Sequence, residues 1–230
     1  MEAARAEPRR RRKQARPGEI LEAAFAEFSA AGFAATRLED VASRAGITKG
    51  TIYVYFPNKE ELFLATIKER MRPTMEHMEA LTASPEGGAM DILRAHFHFV
   101  YGRMVEDPQG RELLRMLVAE GGRFPALTER WHAEVIGPSV EALRQVVRYG
   151  IARGEFHATA AEEFPHLIFS PVMMACTWQT LFGEAHALDL ARYREAHLDM
   201  LQRSLERRQE DGAAGPSGQP SAGSPSVSSM

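Results

Sequence analysis

Two short segments of helical periodicity flank a glycine in residues 36–63, and this pattern constrains the fold more than any other part of the chain. The apolar residues of the first segment recur at helical spacing: Leu38, Val41, Ala42 and Ala45. Gly46 follows where a helix end requires a positive φ. Thr48 is placed to cap a second helix, which we predict from about Lys49 to Tyr55. The pattern predicts a helix-turn-helix over about residues 38–57, the motif that places its second helix in the DNA major groove.

A further helix is predicted upstream, over residues 17–31. Its apolar stripe has the spacing of one helical face: Leu21, Ala24, Phe25 and Phe28. Pro17 suits a first helical turn, and Gly32 suits a left-handed residue at the helix end. Thr36 with Glu39 three residues later predicts a capping box for the next helix. The N-terminal part is therefore expected to be a bundle of three helices.

The predicted second helix of the motif has an outward face of unusual composition. Ile52 and Phe56 are expected to point inward, because so short a helix needs apolar anchors. The residues left facing outward include two tyrosines and a lysine beside a glycine: Lys49, Gly50, Thr51, Tyr53, Val54 and Tyr55. Either tyrosine could instead pack in the core, and a lone lysine could be an ordinary solvated charge. A DNA-facing surface fits better, since Gly50 lowers helix stability by about 1 kcal/mol and allows close approach.

These residues resemble the tetracycline-repressor (TetR) family. The resemblance is dense over residues 17–65 and rests on one set of residues: Gly32-Phe33, Thr36, Val41-Ala42, Ala45 to Tyr53, Tyr55-Phe56 and Lys59 to Phe63. Beyond that region only the helical layout is similar. The family resemblance implies a helical C-terminal domain that binds a small molecule and forms a homodimer. It also implies that this chain binds operator DNA.

The same resemblance implies roles for individual residues. Thr36 would hold a phosphate at a helix start, and Tyr53, Tyr55 and Lys59 would hold other phosphates. Val54 would lie near bases, where an apolar side chain suits a thymine methyl group. The complete predicted DNA-contact set is Thr36, Arg37, Thr48, Lys49, Gly50, Thr51, Tyr53, Val54, Tyr55 and Lys59.

Charge is distributed unevenly along the 230 residues, whose formal net charge is −3. Residues 1–59 carry 11 Lys and Arg against 7 Asp and Glu, so the remaining chain has a balance of −7. The positive portion is the one expected on DNA. Residues 1–16 include the run Arg9 to Lys13 and are predicted to be a disordered arm. This arm either reaches DNA or is a solubilising tail.

The single cysteine, Cys176, excludes an intrachain disulfide. It is expected to be a small buried hydrophobe, with redox sensing as the alternative. We see neither a signal peptide nor an apolar run long enough for a membrane helix, which favours a cytoplasmic protein.

The rest of the chain lacks sustained period-two patterns, so we predict an all-α fold. The expected organisation is a DNA-binding domain over 17–63, a helical effector-binding and dimerisation domain over 64–210, and a disordered tail over 211–230. Helix starts are predicted at Ser84-Pro85, at Asp107-Pro108 and at a second capping box formed by Thr159 and Glu162. Pro73 is expected to kink or stop its helix.

Two sets of residues are candidates for the sensor functions that the resemblance implies. An effector pocket, apolar with a few polar groups, would draw on nine residues: Phe97, Val100, Tyr101, Met104, Leu117, Phe124, Trp131, Met174 and Trp178. Residue by residue, plain core packing is the favoured alternative. The segment from His166 to Phe182 is apolar on every side, which predicts burial of one face against its own domain and of the other against a second subunit. The predicted dimer contacts are Leu167, Ile168, Val172, Ala175, Leu198, Leu201 and Leu205.

Three functions compete on these observations. The first is a homodimeric repressor that a small, apolar or aromatic effector releases from a palindromic operator. The second is an activator or partner-controlled DNA-binding regulator without such an effector. The third, an enzyme, has no support, because the chain lacks a nucleophile elbow, a P-loop and a GxGxxG motif. His96 and His98 point apart on a helix and Asp91, His132 and Glu134 match no catalytic spacing, so we predict neither a metal nor a cofactor.

Overall fold

The protein is described here by a computed structural model that covers residues 6–83 and 87–206. Within these ranges all regular structure is helical, and the only strand-like pairing is a single bridge between Phe156 and Glu206. The predicted all-α fold is confirmed. The α-helices of these ranges are α1 (Ala6–Ala35), α2 (Leu38–Arg44), α3 (Lys49–Tyr55), α4 (Lys59–Ala83), α5 (Ala89–Val100), α6 (Pro108–Gly121), α7 (Pro125–Trp131), α8 (Gly137–Ala152), α9 (Ala160–Glu163), α10 (His166–Phe182) and α11 (Leu190–Leu205). Within the described part of the chain, no helix combines the length and the hydropathy that a membrane crossing requires.

Shorter irregular helices join some of these elements. Tyr101–Glu106 and His132–Ile136 are π-helical, and Gly183–His186 is a 3₁₀ helix. Asp107 caps α6 as predicted, since its carboxylate accepts a hydrogen bond from the Gln109 backbone N–H at 2.9 Å. The Thr159 hydroxyl caps α9 by accepting from Ala161 N at 2.9 Å, but the predicted box is only half formed, because the Glu162 carboxylate pairs with Arg148.

Proline had less effect on the helices than the sequence suggested. α1 begins at Ala6 and contains Pro17, whereas we expected a disordered arm up to residue 16. Arg, Lys, Gln and Ala are good helix formers, which accounts for the helical backbone upstream of Pro17. α4 continues through Pro73. Residues 1–5, the Ser84-Pro85 cap and the 211–230 tail lie outside the described residues.

Two glycines with positive φ shape the N-terminal helices. Gly32 has φ 78° and ψ 166°, a conformation that breaks the helical path inside α1 but is not the left-handed helical one predicted. Gly46 has φ 64° and ends the turn between α2 and α3 as predicted. Both conformations are strained for residues that carry a Cβ, so glycine is required at each position.

The described residues form two hydrophobic cores. The first, which we call the head core, lies among α1, α2, α3 and the start of α4, and it includes Phe28, Val41, Ile52 and Leu62. Leu113, Met116, Leu117 and Leu127 of α6 and α7 also belong to it. The body core lies among α5, α8, α10, α11 and the first π-helical segment. The DNA-binding helices therefore share their core with α6 and α7.

The body core contains the single cysteine and two buried histidines. Cys176 is fully buried, its thiol donates to the Met104 carbonyl oxygen at 3.2 Å, and burial raises its pKa to about 11. This agrees with the predicted buried hydrophobe and disfavours the reactive thiolate that redox sensing needs. His197 lies between the Tyr101 hydroxyl, at 3.1 Å from Nδ1, and the Ile168 carbonyl oxygen, at 3.0 Å from Nε2.

Burial of the two histidines predicts acid destabilisation of the body core. Burial, with the nearby His77 as a second cause, lowers the pKa of His96 to about 4, and burial also lowers that of His197. The unfolded chain therefore binds these protons more readily, so the stabilisation is complete above about pH 6.5 and is lost as the pH falls towards 4. From pH 7.5 to pH 5 we expect His96 alone to lower the free energy of unfolding by about 2 kcal/mol.

Urea unfolding at a series of pH values measures this effect. His96→Leu should flatten the dependence between pH 7.5 and pH 5. The matched control is His98→Leu, because His98 is an exposed histidine on the same helix. An unchanged pH dependence in His96→Leu would contradict the assignment.

Candidate DNA-binding site

Helix α3 is held on the head core by a single fully buried side chain. Ile52 has no exposed surface, while Ile47 and Phe56 pack against the same core from either end of α3. Thr48 caps the helix as predicted, because its hydroxyl oxygen accepts a hydrogen bond from the Thr51 N–H at 3.3 Å. Seven residues are too few for a stable isolated helix, so these anchors fix how α3 is presented.

The outward face of α3 is apolar and aromatic. Val54 is 75% exposed and Tyr53 is 46% exposed, although burial of apolar surface would stabilise both side chains. Gly50 has only the Thr48 hydroxyl within 4 Å of where a Cβ would stand, so packing within the chain does not require glycine there. Tyr55 is half-buried and contacts Phe56 with a ring separation of 6.5 Å. The helix thus presents Lys49, Tyr53 and Val54 to solvent.

An ion pair that the sequence analysis missed holds the lysine at the start of α3. Lys49 Nζ donates to Glu39 Oε1 at 2.7 Å and lies 5.7 Å from the centre of the Tyr53 ring. The hydrogen bond between them lowers the pKa of Glu39 and raises that of Lys49. Both side chains are exposed, so the pair contributes little stability. Its effect is to orient Lys49 across the α2–α3 turn. The sequence signal that could have predicted this ion pair is the acidic first turn of α2, which contains Glu39.

The structure corrects the predicted role of Thr36. Its side chain is 3% exposed, and its hydroxyl donates to the carbonyl oxygens of Gly32 at 2.7 Å and Glu27 at 3.1 Å. The predicted capping box with Glu39 is wrong, because Arg37 is the N-cap of α2 and makes no side-chain capping bond. Thr36 is committed to closing the end of α1, and this geometry offers no hydroxyl to a phosphate. Arg37 remains exposed at the start of α2.

Lys59 is also engaged within the chain. Its ammonium group donates to the carbonyl oxygens of Phe33 at 2.7 Å and of Ala34 and Thr36 at 3.1 Å. The same group lies 4.7 Å above the Phe33 ring. Carbonyl groups at a helix end attract cations, so Lys59 closes the C-terminal end of α1 rather than standing free for phosphate.

This geometry predicts that the main effect of Lys59→Met is a lower free energy of unfolding and not the loss of a DNA contact. Hydrogen bonds to a charged group contribute about 1.5–3 kcal/mol, so we expect a loss of about 2 kcal/mol in the free energy of unfolding. Lys68→Met is the matched control, because Lys68 is an exposed lysine on the same helix whose partner is Glu134. Its loss should stay below about 1 kcal/mol. If Lys59 held a phosphate, its removal would instead reduce the salt dependence of DNA binding by about one counterion.

The head is tied to α6 and α7 by polar contacts as well as by the shared core. Glu120 of α6 accepts the Phe33 backbone N–H at 2.9 Å, in a buried position. Arg115 donates to the Ser29 carbonyl oxygen at 2.8 Å, and Arg130 pairs with Glu61. These contacts join the end of α1, the α1–α2 turn and the start of α4 directly to α6 and α7. No sequence pattern indicates these contacts, since each joins residues at least 69 positions apart.

The nine predicted effector-pocket residues do not come together. Phe97, Val100 and Tyr101 are fully buried in the body core, whereas Met174 is 56% exposed. Met104 lines a cleft between α4 and α6 whose free space is about 20 Å³, and a second cleft, of about 10 Å³, is lined in part by three others: Leu117, Phe124 and Trp131. Trp178 donates from Nε1 to the His186 carbonyl oxygen at 2.8 Å. Apolar periodicity identified buried residues but could not assign them to one cavity.

The predicted dimer contacts need a similar correction. Six of them are buried within this chain: Ile168, Val172, Ala175, Leu198, Leu201 and Leu205. Leu167 alone is exposed, at 56%. The face of α10 that remains open carries Leu167, Met174 and Leu181, spaced by seven residues, with Phe164, Phe182 and Met200 also exposed. The sequence showed that α10 is apolar on every side but not which side meets its own domain.

A capped recognition helix on a three-helix head, joined to an all-helical body, defines a helix-turn-helix DNA-binding protein. The family description "Bacterial regulatory proteins, tetR family" matches residues 20–66, and "Tetracyclin repressor-like, C-terminal domain" matches residues 91–193. The chain belongs to the TetR family of transcriptional regulators, which are non-enzymatic DNA-binding proteins.

Several known proteins are similar over part or most of the chain. The HTH-type transcriptional regulator SrpR of Pseudomonas putida is 27% identical over 138 residues, which are 59% of this chain and 61% of that protein. The fatty acid metabolism regulator protein of Bacillus subtilis (strain 168) is 38% identical over 69 residues, 29% of this chain and 36% of that protein. The chain thus matches about a third to three fifths of the length of these curated relatives.

Solved structures share the fold at lower identity. SmeT, described as the repressor of the Stenotrophomonas maltophilia multidrug efflux pump SmeDEF, has a TM-score of 0.65 and 23% identity, with 89% of this chain and 96% of that chain covered. A TetR-family regulator from Mesorhizobium loti has a TM-score of 0.70 and 20% identity, covering 85% and 99% respectively. At such identities the likeness establishes the fold alone.

Proposed function

We propose that this chain is a homodimeric repressor that binds a palindromic operator and is released by a small, apolar or aromatic effector. The observation that carries the proposal is the outward face of α3. Val54 is 75% exposed and Tyr53 is 46% exposed, while Ile52 anchors the same helix with no exposed surface. An exposed apolar and aromatic face next to a lysine suits a DNA groove better than water. Because the protein acts on DNA, we place it in the cytoplasm.

The proposed contacts follow the geometry of this face. Val54 would touch a thymine methyl group, and Lys49, Gly50 and Thr51 would lie near base edges. Tyr53, Tyr55, Arg37 and Thr48 would contact phosphates or sit beside them. Lys59 and Thr36 act indirectly, since they close the end of α1 and so position α2 and α3.

Dimerisation is supported by the open face of α10. Leu167, Met174 and Leu181 form an apolar row spaced by seven residues, about two helical turns apart. Exposure of such a row to water is unfavourable. In a two-fold dimer the same row of a second copy of the chain would pack against it. A two-fold dimer would present two α3 helices to successive major grooves, about 34 Å apart.

Repression is the mode we propose, and SmeT, which shares the fold, is described as a repressor. Effector release requires that the effector binds better to a dimer geometry unsuited to the operator. The alternative remains a DNA-binding regulator, activating or partner-controlled, that has no small-molecule effector. A compound that lowers operator affinity distinguishes the first function from the second.

Selection of genomic DNA fragments by the purified full chain, at one stated salt concentration, tests the proposal. We expect a palindrome whose half-sites lie about one helical turn apart. Sedimentation at micromolar concentration should give a dimer. Binding that is blind to sequence and abolished by salt would remove the support for the α3 assignments, and a monomer would remove the palindromic dimer.

A further inference from the structure

A narrow cleft lies where α6 and α7 pack against α4, beside the turn that follows α1. It is partly open to solvent, and its free space is about 10 Å³, room for roughly one water molecule. Phe63, Phe124 and Trp131 supply aromatic walls, and Glu120 supplies the one ionisable side chain in the lining. The cleft belongs to the head core and is separate from the body core.

Two polar groups in this cleft lack partners within the described residues. Glu120 is 7% exposed, and its Oε1 accepts the Phe33 N–H at 2.9 Å, but its buried Oε2 has no hydrogen-bond partner. No ion pair in the described part of the chain involves Glu120. Trp131 Nε1 is also buried without an acceptor. A buried carboxylate without a counter-charge is strongly unfavourable, so this arrangement is poised for a positive ligand.

The rings around Glu120 favour the same kind of ligand. Phe124 and Phe63 line the cleft and pack edge-to-face against Phe33 at 4.7 and 4.9 Å between ring centres, while Phe33 lies behind the lining and already has the Lys59 ammonium group 4.7 Å from its ring. Aromatic faces carry partial negative charge and attract cations. A lone carboxylate beside aromatic rings therefore selects positive charge on an apolar body over a neutral or anionic molecule.

We propose that this cleft binds a small organic cation, an ammonium group on an aromatic or alkyl body, with Glu120 as its counter-charge. The ammonium group donates to Glu120 Oε2, and the apolar body packs against the rings. Trp131 Nε1 donates to an acceptor on those ligands that carry one. The assignment of this ligand as the effector rests on the proposed function.

The position of Glu120 explains how binding of such a ligand would change the position of the DNA-binding helices. The same carboxylate that faces the cleft holds the Phe33 N–H, and a Cβ at Gly32 would stand 2.6 Å from its Oε1. The side chains pack closely around the cleft, so a ligand must separate α6 and α7 from α4. That separation carries Glu120 away from the α1–α2 turn or draws the turn with it.

The test uses the fluorescence of Trp131. The chain has two tryptophans, so Trp178→Phe leaves Trp131 as the sole reporter. This variant is titrated at pH 7 with 2-phenylethylamine, which is a cation, and with 2-phenylethanol and 3-phenylpropionate as neutral and anionic analogues. We expect the amine to bind at least ten-fold more tightly than the alcohol, and the anion not to bind. Calorimetry on the unaltered chain checks that Trp178→Phe leaves the affinity unchanged.

Glu120→Gln keeps an oxygen acceptor for the Phe33 N–H but removes the charge. It should weaken the amine at least ten-fold and leave the alcohol unchanged. Glu129→Gln on α7, an exposed glutamate, is the charge-matched control and should change neither. Equal binding of amine and alcohol, no binding of the amine, or indifference to Glu120→Gln would overturn the site.

A separate DNA measurement decides the effector role. Release of the operator by the amine, lost in Glu120→Gln, supports it. Amine binding with unchanged operator affinity would uphold the cation site and overturn its role as the effector site. If the chain bound no operator at all, the proposed function would fail while the fluorescence titration still decided the cation site.

Discussion

Val54→Glu is expected to abolish specific operator binding, with a loss of at least about 100-fold in affinity. Val54 is 75% exposed on α3, so the folded chain has room for the longer side chain. A carboxylate at this position would face the phosphates and the acceptor-rich base edges of the groove. Like charges brought together at an interface cost several kcal/mol, which corresponds to the expected loss. Competition binding to the selected operator at fixed salt measures it.

The chain provides a close control for this substitution. Val118 on α6 is 73% exposed, so Val118→Glu makes the same chemical change at the same exposure but away from α3. Both variants should unfold at the same urea concentration as the unaltered chain, and Val118→Glu should keep its operator affinity. Retained specific binding in Val54→Glu would show that α3 does not enter the groove.

The head was predictable from sequence because its signals are local. The helical stripe, Gly46 and the Thr48 cap each act within a few residues, and each was found where expected. The contacts that no local pattern predicted in the same region return to the end of α1 from Thr36 and Lys59. Thr36 has a nearby glutamate at the capping-box spacing, yet its hydroxyl turns back to Gly32 and Glu27. Lys59 reaches carbonyl groups 23 to 26 residues away, which no local pattern encodes.

The body was less predictable because burial alone does not identify a site. Phe97 and Trp131 are both apolar residues at helical spacing, but they belong to different cores. The sequence placed the boundary of the DNA-binding domain at residue 63, whereas the head core takes Leu117 and Leu127 from α6 and α7. Which helices share a core depends on tertiary packing, and a helix with more than one apolar face is compatible with several arrangements.

The open face of α10 gives the second large prediction. Met174→Glu or Leu181→Glu is expected to convert the proposed dimer into a monomer at micromolar concentration. Met174 is 56% exposed and Leu181 is 69% exposed, so neither change disturbs the body core of a single chain. In a dimer either charge would be buried against the apolar row of the partner, which costs several kcal/mol and raises the dissociation constant by at least about 100-fold.

Loss of the dimer should carry over to DNA. A palindromic operator engages two α3 helices at once, and a monomer keeps only one half-site, so the operator affinity should fall by a similar factor while the affinity for an isolated half-site stays the same. Sedimentation measures the first effect, and competition binding with full and half operators measures the second. Val118→Glu serves again as the control, because it adds the same charge outside α10. A variant that remained dimeric with Glu at both 174 and 181 would place the subunit contact on another surface. If it became monomeric yet bound the full operator as before, one recognition helix would suffice and the palindromic geometry would be wrong.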